Sequence, residues 1–418
     1  MERAVKPGKR NGAITIPASK SYPHRLLIGA SLGNKETVLD CEGISKDIEA
    51  TIKCLNALGA KIEYNDNRNI RINKTVGKNR EEADMFCGES GSTLRFLIPV
   101  VGALGRNAVF HMEGKLSERP LDALTNELIA HGMNISKDDK LLKCQGRLKA
   151  GDYTIPGDIS SQYVSGLLFA LPILEGDSTL RVTGKIESAG YIKMTEDVLA
   201  SMGILFEKKE NLYTIPGNQT FCTPDKLTVE KDWSNAAFFL CMGAQSEKGI
   251  TLRGMNMNSA QGDIAIVEIL KNFGARVSVE GDNITVSKGT LLGITVDAST
   301  IPDLVPTISA LASLADGETR IINAERLRFK ESDRLLSTSE LLINVGANVT
   351  KLDDGLIIHG QNKLSGGTAD AMNDHRIAMS AAVTACSAKD VILIKGAECV
   401  AKSYPDFWKD FDSLEVEG

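Results

Sequence analysis

Polar residues suited to chemistry stand at the beginning of six apolar segments of this chain. Each segment opens with Ser or Asp and continues with small apolar residues, which predicts a capped helix buried on nearly all sides. The first turn of a helix carries backbone N–H groups without helical partners, and these bind anions. Lys20, Arg25 and Arg376 lie in such segments, where capping does not explain them. The openings therefore predict anion sites, at residues 19–21, 88–92, 160–162, 232–234, 302–303 and 374–376.

Further polar groups lie between these segments, at residues 118–120, 188–191, 330–334 and 401–403. Taken alone, the run 330–334 is typical of a solvated surface. The sequence has no GxxxxGK[ST], GxSxG or HExxH motif and its five histidines show no ligand spacing, so a nucleotide P-loop, a serine hydrolase and a zinc enzyme lack support. We expect a polyanion site with a few carboxylates and with no metal or other cofactor.

Composition narrows the class of protein. The 418 residues are 42% hydrophobic and 24% charged, as in an ordinary globular protein of two or three domains. A net charge of -6 argues against a groove for nucleic acid. The eight cysteines form no CxxC pair, which favours reduced thiols in the cytoplasm. The longest apolar stretches, 167–174 and 236–242, fall short of the ~18 residues of a membrane helix, so we expect no export and no membrane partner.

The elements that position these residues recur with a period near 70. Five amphipathic segments end at a glycine, and these glycines, 59, 132, 203, 274 and 346, are 71 to 73 residues apart. Each predicts a helix that stops at a left-handed glycine before a strand. A sixth copy at 407–418 lacks the glycine. The apolar segments share this period, so the sequence predicts six α/β units packed compactly, in preference to a solenoid.

An ordered set of motifs resembles the EPSP synthase family along nearly the whole chain. The motifs are ASKSxxxR at 18–25, GxSGSTLR at 88–95, ERP at 118–120, SSQ at 160–162, SxxY at 188–191, IPD at 301–303, KESDR at 330–334, DHR at 374–376 and AKSYPDFW at 401–408. The resemblance implies the α/β enolpyruvyl transferase fold, with two domains of three βαβαββ units each and buried helices. Residues 1–19 with 230–418 would form one domain and 20–229 the other. The hinge would lie near 19–20 and 229–231, with the active site in the interdomain cleft.

The resemblance also implies a reaction between two small phosphorylated carboxylates. The enolpyruvyl group of phosphoenolpyruvate would move to the 5-hydroxyl of shikimate 3-phosphate, with release of phosphate, on the route to chorismate and the aromatic amino acids. Residues matching the family's phosphoenolpyruvate ligands are Lys20, Gly91, Arg119, Gln162, Arg334, Arg376 and Lys402. Those matching its shikimate 3-phosphate ligands are Lys20, Ser21, Arg25, Ser160, Ser161, Gln162, Ser188, Tyr191, Asp303 and Lys330.

Such a reaction adds a proton to the methylene carbon and removes one from the attacking hydroxyl, then reverses the first step as phosphate leaves. The resemblance implies Asp303 as the base on the hydroxyl, Glu331 as the acid toward the methylene and Lys20 as an aid to phosphate departure. Asp374 and His375 would support them. Family members are cytoplasmic monomers, which we expect here also.

Three positions depart from many members of the family. Glu89 replaces an Asn, Phe96 a Pro or small residue, and Arg326 an Asn. A carboxylate at 89, near a site for two anions, is repulsive unless a cation such as Arg95 or Arg326 pairs with it. We therefore do not expect Glu89 to bind phosphoenolpyruvate directly.

Three alternatives share part of this pattern. UDP-N-acetylglucosamine enolpyruvyl transferases have the same fold and donor, but carry a loop cysteine where this chain has Gly114, and no cysteine occurs between 88 and 143. The RNA 3'-phosphate cyclase group needs a nucleotide-linked histidine and a more basic face. A non-catalytic repeat protein that binds phosphorylated metabolites remains open, although Asp303 and Glu331 beside the cations weigh against it.

Overall fold

The structure is a computed structural model that describes residues 1–64, 68–73, 82–186 and 189–417. The chain forms two compact units, Lys20–Val229 and a discontinuous unit of Met1–Ser19 with Glu230–Gly418. The strands of the described residues are β1 Glu2–Val5, β2 Arg10–Thr15, β3 Thr37–Asp40, β4 Lys61–Tyr64, β5 Asn69–Asn73, β6 Ala83–Gly88, β7 Ala108–Met112, β8 Met133–Asp138, β9 Leu141–Gly146, β10 Asp152–Pro156, β11 Ser178–Thr183, β12 Glu207–Lys209, β13 Leu212–Ile215, β14 Lys226–Thr228, β15 Ile250–Arg253, β16 Arg276–Glu280, β17 Asn283–Ser287, β18 Thr295–Asp297, β19 Glu318–Ile322, β20 Asn348–Lys351, β21 Leu356–His359, β22 Gly367–Asp370, β23 Ile392–Lys395 and β24 Glu415–Val416. The α-helices are α1 Ser21–Ser31, α2 Lys46–Ala57, α3 Gly91–Ala103, α4 Asp122–Ala130, α5 Ser161–Ala170, α6 Ala189–Ser201, α7 Trp233–Gly243, α8 Ile266–Phe273, α9 Val305–Ala312, α10 Arg334–Asn344, α11 His375–Ala385 and α12 Phe407–Ser413.

One arrangement of strands recurs in both units. In the sheet β6-β7-β9-β8, β6 runs parallel to β7, and β9 and β8 follow antiparallel. Helix α3 connects the parallel strands and α4 connects β7 to β8, so this copy is βαβαββ. The same order occurs in β10-β11-β13-β12, β14-β3-β5-β4 and β18-β19-β21-β20, and within the five-stranded sheet β16-β17-β15-β2-β24. The predicted fold class, α/β with repeated βαβαββ units, is confirmed.

Two copies take their first strand from a distant part of the chain. Strand β14 closes the unit Lys20–Val229 by pairing in parallel with β3, and β2, which precedes that unit, pairs in parallel with β15, which follows it. The sixth copy is irregular: its sheet is β1-β23-β22, and β24 pairs instead with β2. Without the glycine, Leu414 at the end of α12 is extended and leads straight into β24.

Helices α1, α3, α5, α7, α9 and α11 are buried along most of their length, as their apolar sequences predict. A close approach explains one of their glycines. A Cβ at Gly166 on α5 would lie 2.5 Å from the carbonyl oxygen of Arg95 on α3, so a side chain there would separate the two helices. In the described part of the chain, no helix is long and apolar enough to cross a membrane.

The predicted side-chain caps occur on four of these six helices. Ser90, Ser160, Asp232 and Asp374 accept a hydrogen bond from a backbone N–H of their own helix. For α1 and α9 the prediction is wrong, because Lys20 and Leu304 occupy the N-cap position and make no side-chain cap. Before α9 the chain forms a 3-10 helix, Pro302–Leu304, whose Asp303 contacts cations instead of the helix end.

The amphipathic helices α2, α4, α6, α8 and α10 end as predicted. The five glycines that follow them have φ angles between 73° and 103°, in the left-handed region, at Gly59, Gly132, Gly203, Gly274 and Gly346. In this region glycine avoids the strain that a Cβ would cause. Each helix can therefore turn at once into the strand that follows.

Candidate active site

In the unit Lys20–Val229, an ion pair joins the beginnings of α1 and α2. Nζ of Lys20 lies 2.6 Å from Oδ2 of Asp47, and both side chains are largely buried. Asp47 lies in the first turn of α2, which begins after its cap Ser45. The carboxylate thus fixes the ammonium of the residue that the sequence predicts to contact both substrates. The sequence alone did not single out Asp47. The feature that could have indicated it is an Asp in the first turn of a predicted helix.

Arg25 is buried inside the same unit, and among the residues that the structure describes none of its hydrogen-bond acceptors is a carboxylate. Its guanidinium donates to Oγ1 of Thr195 and to the backbone carbonyls of Ser21 and Tyr191, at 2.7 to 2.8 Å. Burial lowers the pKa of Arg25 to about 10, against smaller opposing effects of neighbouring tyrosines. Its Cζ also lies 4.9 Å from the ring centroid of Phe96. Neutral oxygens and an aromatic face orient this cation and leave its charge available to an anion.

The first turn of α3 faces two arginines at close range. A Cβ at Gly91 would lie 2.9 Å from Nη1 of Arg119 and 3.0 Å from Nη1 of Arg95. Glycine therefore allows both guanidinium groups to approach the beginning of the helix. Arg119 follows the short 3-10 helix Leu116–Glu118, which places it there. Two cations beside the backbone N–H groups of a helix start form a strong anion site.

Gln162, in the first turn of α5, is held on both sides of its amide. Its Oε1 accepts from Arg95 at 2.8 Å, and its Nε2 donates to Oγ of Ser92 at 2.8 Å. Arg95 also donates to the carbonyl of Pro120, beside the predicted ligand Arg119. Arg95 thus connects α3, α5 and the 118–120 segment, a role that the sequence motif alone does not show.

The remaining predicted shikimate 3-phosphate ligands of this unit lie close to these groups or outside the described residues. Ser160 and Ser161 are buried at the beginning of α5, where Oγ of Ser160 accepts from the backbone N–H of Gln162. Tyr191 lies in the first turn of α6 and offers its carbonyl to Arg25. Ser188 lies outside the described residues.

Glu89 lies against the loop that contains Gly114. A Cβ at Gly114 would lie 2.7 Å from Cδ of Glu89, and Gly114 has a φ of +54°. The loop therefore covers the Glu89 carboxylate only because position 114 has no side chain. This is the position at which a cysteine would be expected in a UDP-N-acetylglucosamine enolpyruvyl transferase.

In the discontinuous unit, one buried arginine contacts three carboxylates. Arg334 donates to Asp303 at 2.7 Å, to Glu331 at 2.7 Å and to Asp374 at 2.8 Å. Burial by itself would lower the pKa of Arg334, but the three carboxylates together raise it above its usual value. For the carboxyl of Asp374 burial acts in the other direction and would raise the pKa, yet Arg334 keeps it below the usual value. Asp374 caps α11, so the guanidinium connects α10 to α11.

Asp303 is the point where further cations meet. Nζ of Lys330 lies 3.4 Å from its Oδ1, and Nη2 of Arg376 lies 3.4 Å from its Oδ2. Arg376 also donates to the Asp303 carbonyl at 3.0 Å. Burial lowers the pKa of Lys330 to about 8; Asp303 opposes this shift, while Arg334 and Arg326 add to it. The predicted base thus lies beside Arg334 and Arg376, predicted ligands of phosphoenolpyruvate, and beside Lys330, a predicted ligand of shikimate 3-phosphate.

Lys402 is attached to the turn that precedes α11. Its Nζ donates to the carbonyl of Asn373 at 2.7 Å. Met372 and Asn373 both have positive φ angles, 48° and 57°, which turn that carbonyl toward the lysine. The turn leads directly into Asp374 and Arg376, so Lys402 and the start of α11 are positioned by the same backbone.

Asp263 is a buried carboxyl that sequence reasoning missed. It lies in the 3-10 helix Gly262–Ala265 before α8, and its Oδ2 accepts from the hydroxyl of Ser234. Burial raises its pKa to about 7, with the negative charge of Asp303 adding to the shift and Arg376 opposing it. Its signal in the sequence is an acidic residue just before an amphipathic helix, a position that usually indicates only a favourable helix start.

Each of the two units therefore contains a polar cluster built on the beginnings of its buried helices. The cluster of Lys20–Val229 is cationic and hydroxyl-rich, and that of the discontinuous unit combines cations with carboxylates. Among residues 1–64, 68–73, 82–186 and 189–417, no group of three His, Cys, Asp or Glu side chains could hold a metal ion. Such clusters can bind phosphate and carboxylate groups and move protons between oxygen and carbon.

Two solved structures that share this architecture have been identified as an EPSP synthase and an enolpyruvyl transferase. The EPSP synthase of Acinetobacter baumannii aligns over 100% of both chains, with a TM-score of 0.82 and 25% identity. The enolpyruvyl transferase NikO of Streptomyces tendae aligns over 100% of this chain and 97% of its own, with a TM-score of 0.80; at 18% identity it is evidence of the fold alone.

Sequence comparison defines the family. The sequence model of EPSP synthase (3-phosphoshikimate 1-carboxyvinyltransferase) matches residues 5–411. The 3-phosphoshikimate 1-carboxyvinyltransferase of Clostridium acetobutylicum is 44% identical over 98% of this chain and 96% of its own length. That of Clostridium kluyveri is 43% identical over 99% and 97%. The chain belongs to the EPSP synthase family.

Proposed function

We propose that this protein transfers the enolpyruvyl group of phosphoenolpyruvate to the 5-hydroxyl of shikimate 3-phosphate, giving 5-enolpyruvylshikimate 3-phosphate and phosphate. The observation that carries this proposal is Arg334, which holds both predicted acid–base residues, Asp303 and Glu331, in one hydrogen-bonded cluster. Family membership over nearly the whole chain supports it independently. The reaction belongs to the shikimate pathway toward chorismate and the aromatic amino acids.

The proposed chemistry has two steps. The 5-hydroxyl oxygen bonds to C2 of phosphoenolpyruvate while Asp303 takes the hydroxyl proton and Glu331 gives a proton to C3, forming a tetrahedral intermediate. The bond from C2 to the phosphate oxygen then breaks, and C3 returns its proton to Glu331. Phosphate leaves with the proton that Asp303 took from the hydroxyl, while Lys20 stabilises its charge. Lys330, Arg334 and Arg376 around Asp303 offset the negative charge of the substrate near that carboxylate.

The substrate ligands divide between the two polar clusters in this proposal. Arg334, Arg376 and Lys402 would hold phosphoenolpyruvate from one unit, and Lys20, Gly91, Arg119 and Gln162 from the other. Shikimate 3-phosphate would contact mainly residues of Lys20–Val229, namely Lys20, Ser21, Arg25, Ser160, Ser161, Gln162, Ser188 and Tyr191, together with Asp303 and Lys330. Closure of two domains around both substrates would bring these groups into one site. We propose that the protein works as a monomer in the cytoplasm.

Phosphate release tests this function. Purified protein is incubated with phosphoenolpyruvate and either shikimate 3-phosphate or UDP-N-acetylglucosamine, and phosphate is measured with time. We expect phosphate release when shikimate 3-phosphate is the acceptor and none when UDP-N-acetylglucosamine is the acceptor. The names of the relatives favour this acceptor, and a side chain at Gly114 would contact Glu89. Turnover with the UDP-sugar only, or with neither acceptor, would overturn the proposal.

A further inference from the structure

A chain of buried hydroxyl groups runs beneath the starts of α1, α2 and α3. Nδ1 of His24 on α1 lies 2.6 Å from Oγ1 of Thr51 on α2, which lies 2.6 Å from Oγ1 of Thr93 on α3. Thr93 then donates to Oγ of Ser90, the cap of α3, at 2.7 Å. All four side chains are almost completely buried. Nothing in the proposed chemistry uses them.

The direction of these hydrogen bonds follows from counting protons. A hydroxyl has one proton to donate. The Asp47 carbonyl, 3.3 to 3.4 Å from the hydroxyls of Thr51 and Thr93, is a more distant acceptor than Oγ of Ser90 at 2.7 Å. The Thr93 proton therefore goes to Ser90, and Thr51 donates to Thr93 at 2.6 Å. Thr51 has then used its own proton and must accept from His24, which places a proton on Nδ1. Nε2 of His24 has no hydrogen-bond partner among the described residues. A bare nitrogen is tolerated there more easily than a buried N–H without an acceptor.

The histidine is held in this neutral form. Burial keeps the pKa of His24 well below its usual value, and the positive charges of Lys20 and Arg25 lower it further. The edge-on ring of Phe96, at a centroid distance of 6.4 Å, gives the imidazole an apolar neighbour. A proton added to the ring would therefore be buried beside two cations, so His24 donates through Nδ1 as a fixed dipole.

The hydroxyl chain also reaches the partner of Lys20. Oγ1 of Thr51 lies 3.3 Å and Oγ1 of Thr93 lies 3.4 Å from the backbone carbonyl of Asp47. The carboxylate of Asp47 lies 2.6 Å from Nζ of Lys20. One set of hydroxyls thus contacts both the residue that holds Lys20 and the cap beside Gly91. Lys20 and Gly91 stand at the starts of different helices, yet both are proposed ligands of phosphoenolpyruvate.

We propose that His24 is a positioning residue for the reaction: through Thr51 and Thr93 it sets the ammonium of Lys20 in register with the beginning of α3. The inference rests on the proposed function, since it takes Lys20 and Gly91 as substrate ligands. A displacement near 1 Å between such groups costs about 100-fold in rate. His24 touches no substrate in this account, so its effect is carried entirely by the hydroxyl chain.

Rescue by an amide distinguishes positioning from simple packing. The amide nitrogen of Asn can occupy the place of Nδ1 and donate to Thr51, whereas Leu cannot. We expect His24→Asn to keep kcat/KM for phosphoenolpyruvate within about 3-fold of wild type, and His24→Leu to lower it about 10- to 100-fold. Thr51→Val, which preserves shape and removes the hydroxyl, should lower it similarly. Thr223→Val is the matched control, because Thr223 is equally buried in this unit and its hydroxyl has no hydrogen-bond partner among the described residues.

The kinetic measurement is phosphate release with phosphoenolpyruvate and shikimate 3-phosphate, after circular dichroism has shown each variant to be folded. In parallel, nitrogen-15 NMR of the wild-type protein reports which ring nitrogen of His24 carries the proton. Wild-type rates in Thr51→Val, or a proton on Nε2, would overturn the inference while leaving the proposed function intact. Absence of turnover by the wild-type protein itself would overturn the proposed function and this inference together. If His24→Leu does not fold, Thr51→Val and the NMR spectrum still decide.

Discussion

Nη1 of Arg334 lies 2.7 Å from Oδ1 of Asp303, so a predicted substrate ligand and the predicted base form an ion pair. The same guanidinium contacts Glu331 and Asp374, and its side chain is 1% exposed. Removing a buried charge that compensates several others destabilises a protein strongly, because the remaining charges stay desolvated. Under the proposed function, stability and catalysis therefore both depend on Arg334, and substitutions can separate the two.

Arg334→Met should lower the free energy of unfolding by roughly 3–5 kcal/mol, because the fully buried carboxylate of Asp374 loses its principal cation. Urea denaturation followed by circular dichroism measures this change. Arg320→Met serves as the control, since Arg320 is 57% exposed and its pair with Glu318 should contribute less than about 1 kcal/mol. Equal losses in both variants would contradict the account of the cluster.

Asp303→Asn and Glu331→Gln should each lower kcat by about 10²- to 10⁴-fold, because an amide cannot take or give the proton in question. Both amides can still accept a hydrogen bond from Arg334, so the fold should be retained. Single-turnover phosphate release measures the chemical step directly. Asp353→Asn, at an exposed position that contacts the exposed side of Arg328, should be neutral. A kcat above a tenth of wild type in both site variants would refute the acid–base assignment.

Arg25→Ala should weaken both substrates, whereas Arg376→Ala should spare shikimate 3-phosphate in the binary complex. The reason is that Arg25 lies in the unit Lys20–Val229 and Arg376 in the discontinuous unit. We expect shikimate 3-phosphate to bind first and to raise the affinity for phosphoenolpyruvate, since the cations needed for the second anion converge only after the first has bound. Isothermal titration calorimetry of each ligand alone, and of phosphoenolpyruvate with the other present, tests this order. An equal loss of shikimate 3-phosphate affinity in both variants would contradict it.

Affinity for shikimate 3-phosphate should fall as the pH rises through about 8, because Lys330 loses its proton there. The stability of the fold should change in the opposite direction and increase with pH. The unfolded chain holds this proton up to the ordinary value of 10.5, so it binds more protons than the folded state between those two pH values, and stability rises with pH in that window. Calorimetric titrations from pH 7 to 9.5 measure the affinity. Lys330→Arg should flatten the profile, because arginine stays charged, and an unchanged profile would exclude Lys330 as the titrating group.

Alkylation should modify Cys222 and leave activity unchanged. Cys222 is exposed, whereas the other seven cysteines, all within the described residues, are buried. Burial raises the pKa of Cys144, Cys241, Cys386 and Cys399 to about 12, so their reactive thiolate forms are scarce at neutral pH. Mass spectrometry after iodoacetamide treatment identifies the modified residue, and Cys222→Ser should take up no label. Inactivation of a folded protein by labelling would show that a thiol takes part in turnover.

Periodicity predicted the repeating architecture because helix and strand signals are local. The glycines at 59, 132, 203, 274 and 346 end helices in the structure as the spacing indicates, and the small-residue segments form the buried helices. Periodicity alone could not place β2 beside β15 or β14 beside β3, because any strand of matching pattern can fill an open edge and distant contacts make the choice. Only the family resemblance predicted that residues 1–19 belong with 230–418. The missing cap of α9 also depends on distant contacts, because Asp303 has cations nearby that sequence spacing does not show.

The sequence predicted which kinds of residue form the polar clusters, but it did not predict which side chains contact each other. Lys20, Arg25 and Arg376 stand out by their place in the sequence, since charges in apolar segments need an explanation. Asp303 and Arg334 were singled out individually only by the family resemblance. Asp47, the partner of Lys20, and Asp374, a partner of Arg334, resemble ordinary helix-start residues, and Asp263 resembles another. Only three-dimensional contact shows that Asp47 holds a lysine and that Asp263 lies near Asp303. An acidic residue at a helix start can therefore stabilise the helix end or hold a cation of the site, and the sequence does not distinguish these two roles.

Because some strands pair with distant parts of the chain, the two units complete their sheets at different stages of protein synthesis. The unit Lys20–Val229 contains every strand of its three sheets, so its sheets can be complete once Thr228 has left the ribosome. The other half begins earlier and finishes later, because β1 pairs with Ile392–Lys395 and β2 gains its last neighbour from Glu415–Val416. A ribosome-bound fragment ending near residue 260 would therefore carry a folded unit Lys20–Val229 behind an amino-terminal segment whose strand β1 still lacks its partner, Ile392–Lys395.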